Sequence, residues 1–405
     1  MNVTPAGLNA PRHAHNPSAR PTLTPEAEAL LSEAEHQAAR REITSWPGYR
    51  PTPVVDLPGL ASAAGVAALL YKDEAHRFTL GSFKALGGAY AVLRLLQDRL
   101  RADGIEATAQ DLISGAHRDR VSGITVCCAT DGNHGRSVAW GAQMFGCGCR
   151  IYIHENVSID REAAIAAYGA TMVRLPGDYD ASVRAAARDA EANGWFLVAD
   201  TNAGGGSALV PNLVMQGYTL IVDELVEQLA ETPTHVFIPA GVGGLAAAIS
   251  GRWAKLAGAA RPRMVVVEPQ VADCVFRALR DGSPQALDGD VNSFMACLSA
   301  GEVSPAAWPI LHAVADDAVA IPDGAAIDTM IGLARGHWGD RPLVSGESGC
   351  APVAAVLALA DQPQLRDELG LTPSSRVLCI GSEGATAPEL WASVTGLRPQ
   401  DVAAA

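Results

Sequence analysis

The sequence predicts an α/β protein with two open, twisted, mostly parallel sheets and flanking helices, and three observations lead there. From Ile124 onward, short β-branched runs alternate with alanine-rich amphipathic stretches at the spacing of βα units. A second series of apolar runs follows a glycine-rich break at Gly204-Gly205-Gly206. The chain has 405 residues, 48 % of them hydrophobic, which exceeds one average domain and supplies a core without covalent staples.

The first series opens with Thr125-Val126-Cys127-Cys128-Ala129 as a buried strand, followed by a polar turn and a helix over about 136–145. Arg150-Ile151-Tyr152-Ile153, Thr171-Met172-Val173-Arg174-Leu175 and Trp195-Phe196-Leu197-Val198 repeat the strand signal, with helices between them near 159–168 and 181–193. Four strands in this register form one parallel sheet. Helical periodicity then occupies 215–229. The second series consists of His235-Val236-Phe237-Ile238-Pro239-Ala240, Met264-Val265-Val266-Val267 and Val377-Leu378-Cys379-Ile380, whose unbroken apolar character is that of strands buried on both faces. A domain boundary belongs near 205–225. Residues 1–24, rich in proline with Arg, His and Asn and lacking a signal-peptide run, read as a flexible or draped arm.

Forty-four acidic against thirty basic residues leave a formal charge of -14, which repels nucleic-acid phosphates and anionic membranes. The apolar segments all fall short of the ~20 residues that cross a bilayer. A soluble cytoplasmic protein is expected. The eight cysteines have no CxxC spacing and no companion histidines, so they read as reduced core residues and no metal site is expected.

Four segments could carry chemistry. Gly241-Val242-Gly243-Gly244-Leu245 follows a strand and opens a helix, so its N–H groups can converge on an anion. It lacks the spacing of dinucleotide sites and the ending of a P-loop, which leaves a lone phosphate or a plain glycine turn. Thr130-Asp131-Gly132-Asn133-His134-Gly135 lies between strand and helix, where open α/β sheets bind ligands; Asp131 can accept a proton and Asn133 can donate to a ring oxygen, or both can simply cap the helix. Lys84, among Phe, Ala, Leu and Gly at the start of a helical run to about Leu96, is either a desolvated nucleophilic amine or a snorkelling surface lysine. Ser382, in Gly381-Ser382-Glu383-Gly384 after the last strand, could offer a neutral hydroxyl to a heterocycle nitrogen. Ser345-Gly346-Glu347-Ser348-Gly349 reads by default as a helix cap.

In this order, Gly81-Ser82-Phe83-Lys84-Ala85-Leu86-Gly87-Gly88, Ala129-Thr130-Asp131-Gly132-Asn133-His134-Gly135-Arg136, Met215-Gln216-Gly217-Tyr218, Val267-Glu268-Pro269 and Ser345-Gly346-Glu347-Ser348-Gly349 resemble the fold-type II pyridoxal-phosphate enzymes, the tryptophan synthase β family. Within it the wording is most similar to the diaminopropionate ammonia-lyases, from about Tyr71 to Ala387. The resemblance implies that the cofactor lies in an interdomain cleft and forms an imine with Lys84. It assigns the phosphate to Gly241, Val242, Gly243, Gly244 and Leu245, the phenolic oxygen to Asn133 and the pyridine nitrogen to Ser382. It further implies that Asp131 and Asp200 accept protons from opposite faces of the substrate α-carbon, and that the protein is a homodimer. The implied reaction is α,β-elimination of 2,3-diaminopropionate to pyruvate and ammonia. A dehydratase of a β-hydroxy amino acid uses the same elimination and stays open, as does a ligand-binding protein without chemistry. The expected division is an arm at 1–24, a large cofactor-binding domain from 25–90 and 220–405, and a small mobile domain at 91–219. One departure stands out: Asp200-Thr201-Asn202-Ala203-Gly204-Gly205-Gly206-Ser207-Ala208-Leu209-Val210-Pro211 has no aromatic where these lyases carry one, which leaves the substrate's leaving group open.

Overall fold

A computed structural model describes residues 10–130, 132–202 and 207–403. The expected class holds: two mostly parallel sheets with flanking helices. In chain order the strands are β1 (Arg12–His15), β2 (Val54–Asp56), β3 (Ala68–Asp73), β4 (Thr125–Ala129), β5 (Gly148–His154), β6 (Thr171–Leu175), β7 (Phe196–Leu197), β8 (His235–Pro239), β9 (Arg263–Pro269), β10 (Asp317–Ile321) and β11 (Arg376–Gly381). The chain divides into two compact units, one of Met1–Leu31, Thr52–His76 and Ile221–Ala405, the other of Ser32–Pro51 and Arg77–Leu220.

The first unit holds a seven-stranded sheet in the order β1-β10-β9-β8-β11-β3-β2. Its five inner strands are mutually parallel, and β1 and β2 close the two edges antiparallel. Every residue of β8 and β10 is buried, and β9 and β11 are buried beyond their first residue, the pattern of a sheet covered on both faces. Leu69, Tyr71, Phe237, Val265, Val319 and Cys379 belong to the core on one side. β3 also carries Lys72, which is fully buried. Its ammonium is satisfied by Glu224 at 2.7 Å, Gln228 at 2.8 Å and the Thr52 carbonyl at 2.9 Å.

The second unit holds the four-stranded parallel sheet β6-β5-β4-β7, matching the four strands of the first series in the sequence. Three helices, Ala85–Ala102, Asn133–Phe145 and Leu209–Tyr218, pack closely within this unit. A Cβ on Gly88 would overlap the Ser137 hydroxyl and one on Gly217 the Leu86 carbonyl, so glycine is what permits the close approach.

The boundaries differ from the expected ones in two places. Residues 32–51 and 77–90, assigned from sequence to the larger part, pack with the smaller sheet. The stretch expected to be a flexible or draped arm contributes β1, because the edge of β10 offers it a backbone partner that no local pattern records. All eight cysteines are free; six are buried, Cys147 is half-buried and Cys297 exposed. Among the described residues no helix is long and apolar enough to cross a membrane.

Candidate active site

Lys84 occupies the N-cap of the helix Ala85–Ala102. The chain reaches it through a bend in which Phe78 and Thr79 adopt left-handed φ values of 48° and 61°, a conformation non-glycine residues hold only when their surroundings enforce it. Those surroundings are aromatic. The Phe78 ring centroid is 4.9 Å from Trp140, 5.8 Å from Trp46 and 6.1 Å from Tyr49. A buried Arg77 adds a bond of 3.4 Å to the Arg50 carbonyl, so the entry to Lys84 is fixed on both sides.

The amine of Lys84 donates to Asp200 Oδ2 at 2.5 Å, with about a fifth of each side chain accessible. Asp200 lies just beyond β7, at the C-terminal edge of the sheet where open α/β folds place their ligands. Burial alone would raise the Asp200 carboxyl. The positive charge of Lys84 and its hydrogen bond outweigh it and hold the group well below the usual carboxylate range. It is thus a carboxylate poised as an acceptor. Two more buried polar atoms belong to this neighbourhood. His134 Nδ1 is 3.9 Å from Asp200 Oδ2, while its Nε2 is 2.8 Å from the Val198 carbonyl. The Tyr218 hydroxyl is held above its ordinary pKa by burial, lowered again by Lys84 and raised by Asp200; its ring packs edge-on to Phe83 at 4.7 Å. Neither His134 Nδ1 nor Tyr218 Oη has a hydrogen-bond partner among the described residues.

Asn133 is the first residue of the helix Asn133–Phe145 and is half-buried. Thr130 Oγ1 accepts from the N–H groups of Gly132 and Gly135, both at 3.1 Å, which tightens the turn that carries it. Asp131 lies outside the described residues, as do residues 203–206 of the glycine-rich stretch.

In the other unit, Gly241 and Val242 leave β8 and Gly243, with φ of 94°, turns the chain into the helix Gly244–Ala257. No side chain caps that helix, so its first N–H groups remain available to an anion. The loop has a firm floor. A Cβ on Gly241 would meet the Cys297 carbonyl at 3.0 Å, and Cys274 Sγ lies 3.8 Å from the Gly241 carbonyl. Cys274 belongs to the helix Cys274–Asp281, whose start is clamped by Glu268 through the N–H groups of Val275 at 2.9 Å and Phe276 at 2.6 Å. Complete burial pushes Glu268 up to about 8 despite these donors. Ser382 follows β11 and is buried. The turn at Ser345 to Gly349 comes to the same place: Gly346 donates to the Glu383 carbonyl at 3.0 Å, Ser348 to Glu383 Oε1 at 3.3 Å, and Cys297 N–H to Ser348 Oγ at 3.1 Å.

Lys84, Asn133 and Asp200 are therefore held in one unit, and Gly241 to Leu245 with Ser382 in the other. Sequence reasoning gave no role to His134, Tyr218, Glu268 or Glu383, although each sits within a phrase it quoted. The one available signal was their placement at or near the ends of strands and helices. The residues fit an aldehyde-bearing phosphate: an amine in contact with a carboxylate, buried polar atoms without partners, and an uncapped helix start behind a glycine turn.

The family model for pyridoxal-phosphate dependent enzymes matches residues 45–383. Diaminopropionate ammonia-lyase of Escherichia coli is 36 % identical over 367 residues, covering 89 % of this chain and 91 % of that protein; that of Salmonella typhimurium is 35 % identical over 358 residues, covering 86 % and 88 %. The crystal structure of the holo E. coli lyase superimposes with a TM-score of 0.86 at 33 % identity, covering 96 % of this chain and 97 % of that one. Maize serine racemase, at 21 % identity and a TM-score of 0.70, shares the fold. Fold, site chemistry and relatives agree: the chain belongs to the pyridoxal-phosphate dependent enzymes of fold type II, in the diaminopropionate ammonia-lyase family.

Proposed function

We propose that this chain catalyses the elimination of 2,3-diaminopropionate to pyruvate and ammonia, acting as a cytoplasmic homodimer. The observation that carries the reading is the Lys84 amine held at 2.5 Å from Asp200 Oδ2. Bound pyridoxal phosphate supplies an electron sink that acidifies the substrate's α C–H. Lys84 is the point of covalent attachment. Gly241, Val242, Gly243, Gly244 and Leu245 take the phosphate, Asn133 the phenolic oxygen and Ser382 the ring nitrogen. A neutral serine hydroxyl does not hold that nitrogen protonated, which favours prompt loss of the β-substituent over transamination. Asp200, kept ionised at rest, takes the α-proton from one face, and Asp131 is assigned the other face from its place in the sequence. The β-amino group then departs, and the released enamine hydrolyses to pyruvate and a second ammonia.

The test is a panel of D- and L-amino acids bearing amino or hydroxyl groups on the β-carbon, scored for keto acid and ammonia. Diaminopropionate is expected to give one pyruvate and two ammonia per turnover. Asp131→Asn and Asp200→Asn are expected to impair opposite enantiomers, and Lys84→Ala to abolish turnover together with the visible cofactor band. No pyruvate from either enantiomer, with keto acid formed from serine or threonine, would overturn the substrate assignment in favour of a dehydratase.

A further inference from the structure

We infer that His134 is a positioning residue for Asp200, its Nδ1 lone pair receiving the carboxyl once Asp200 has taken a proton from the substrate; this rests on the function proposed above. The tautomer follows from the contacts. His134 Nε2 lies 2.8 Å from the Val198 carbonyl, which can only accept, so Nε2 carries the hydrogen. The ring stays neutral: burial holds its pKa below the ordinary value, with Asp200 opposing, Lys84 assisting and the Val198 bond opposing. Nδ1 therefore presents a bare lone pair. It is buried, it has no hydrogen-bond partner among the described residues, and it lies 3.9 Å from Asp200 Oδ2.

In the resting state two acceptors face each other. The Asp200 carboxylate has no hydrogen to give, and its Oδ2 is engaged by Lys84 at 2.5 Å. Protonation reverses the relation. When the α-proton moves to Asp200, its C–H electron pair stays with the substrate and forms the new double bond as the C–N bond breaks. The carboxyl then has a hydrogen and Nδ1 a lone pair to meet it. The proton is held on Asp200, away from the carbon it left, until the departing amino group takes it and leaves as ammonia. No other co-reactant is needed. A protonated carboxyl without such a partner would be a weaker product of the transfer, and Asp200 a weaker base. The same contact explains why a histidine that caps nothing and binds no charge is buried next to the pair.

The holoenzyme carrying His134→Phe, which removes Nδ1, and His134→Asn, whose amide oxygen falls near the Nδ1 position, separates this role from a structural one. The ratio of kcat for the two enantiomers of diaminopropionate is expected to shift by about tenfold in the Phe variant against the hand that depends on Asp200, and to return toward the wild-type ratio in the Asn variant. In parallel, nitrogen NMR of histidine-labelled wild-type protein, with the His134 signals assigned by their loss in His134→Asn, is expected to show a protonated Nε2 and an unprotonated Nδ1 at neutral and alkaline pH. An unchanged enantiomer ratio in His134→Phe overturns the inference, and so does a protonated Nδ1 at neutral pH. Should the wild type leave diaminopropionate untouched, the proposed function fails on its own and the tautomer measurement still decides the state of His134.

Discussion

Phe78 holds a backbone conformation that its own side chain has to secure. A φ of 48° followed by 61° at Thr79 places two side-chain-bearing residues in a region that normally costs each of them of order 1 kcal/mol or more. The contacts with Trp46, Tyr49 and Trp140 offset that cost, and Phe78 stands only six positions before Lys84. Phe78→Ala is therefore expected to destabilise the protein by about 3 kcal/mol in denaturant unfolding and to lower cofactor occupancy at equal protein concentration. A loss below about 0.5 kcal/mol, the range of ordinary surface substitutions, would show that the bend is held by something other than the ring. At this scale the sequence was informative where chemistry is written in consecutive residues. Lys84 was legible because its neighbours form a phrase, and Asp200 through the family likeness. That His134 faces Asp200 from 66 positions away was not, since the contact is made by the return of the chain through three further strands.

β1 shows the same limit for an element, and it brings a pH dependence. Its four residues carry no strand signal of their own; what recruits them is the edge of β10 and the charge of Asp317. The His13 side chain is 4 % exposed and lies 2.9 Å from Asp317 and 2.8 Å from Glu368, while His15 at 3.1 Å and Arg263 at 2.5 Å engage the same Asp317 carboxylate. Burial would lower the His13 pKa, but hydrogen bonds and charges from Asp317 and Glu368 outweigh it and raise the group above 6.5. Asp317 is lowered against its own burial by hydrogen bonds from His13 and Arg263, and Glu368 by those from His13 and Gln364. A group raised on folding stabilises fully below its ordinary value and loses that contribution as pH rises through the folded one; the lowered carboxyls contribute above their ordinary values and fade as pH falls through the folded ones. β1 is thus held most firmly at roughly pH 5 to 6.5 and loosens on the alkaline side as His13 loses its proton. Hydrogen exchange at residues 12–16, corrected for intrinsic rates, is expected to show protection falling between pH 6.5 and 9. Constant protection over that interval would mean that backbone pairing with β10 holds the strand without help from His13. β10 itself escaped sequence reading for a related reason. Asp317-Ala318-Val319-Ala320-Ile321 is alanine-rich and short, and only its complete burial between β1 and β9 makes it a strand.

For the whole molecule, the consequence of this topology is that neither unit is a continuous stretch of chain. The composition change near 205–225 lies beside the last crossing, at Leu220 and Ile221, but the earlier crossings at Leu31, Pro51 and His76 fall in short connections that carry no comparable change. The parallel βα series were legible from periodicity. The recruitment of residues 52–76 into the sheet of residues 221–405 was not, since strand pairing across more than 300 positions depends on which edge is free. That recruitment is extensive. Along β11, Arg376 to Gly381 pair residue by residue with Ala68 to Asp73, and Glu224 is buried at 2 % exposure against Lys72. A fragment of residues 221–405 alone would keep β8, β9, β10 and β11 but lose β1, β2 and β3. It would expose the edge of β11 and leave Glu224 without its buried cation, a loss of about 3 to 5 kcal/mol from that pair before any apolar contact is counted. Total stabilities are of the order of 10 kcal/mol, so the fragment is expected to unfold without a cooperative transition and to bind a hydrophobic dye at neutral pH. Sigmoidal thermal unfolding of a monomeric 221–405 fragment would instead establish that the four remaining strands form a self-sufficient core, and that residues 52–76 add to a sheet already stable without them.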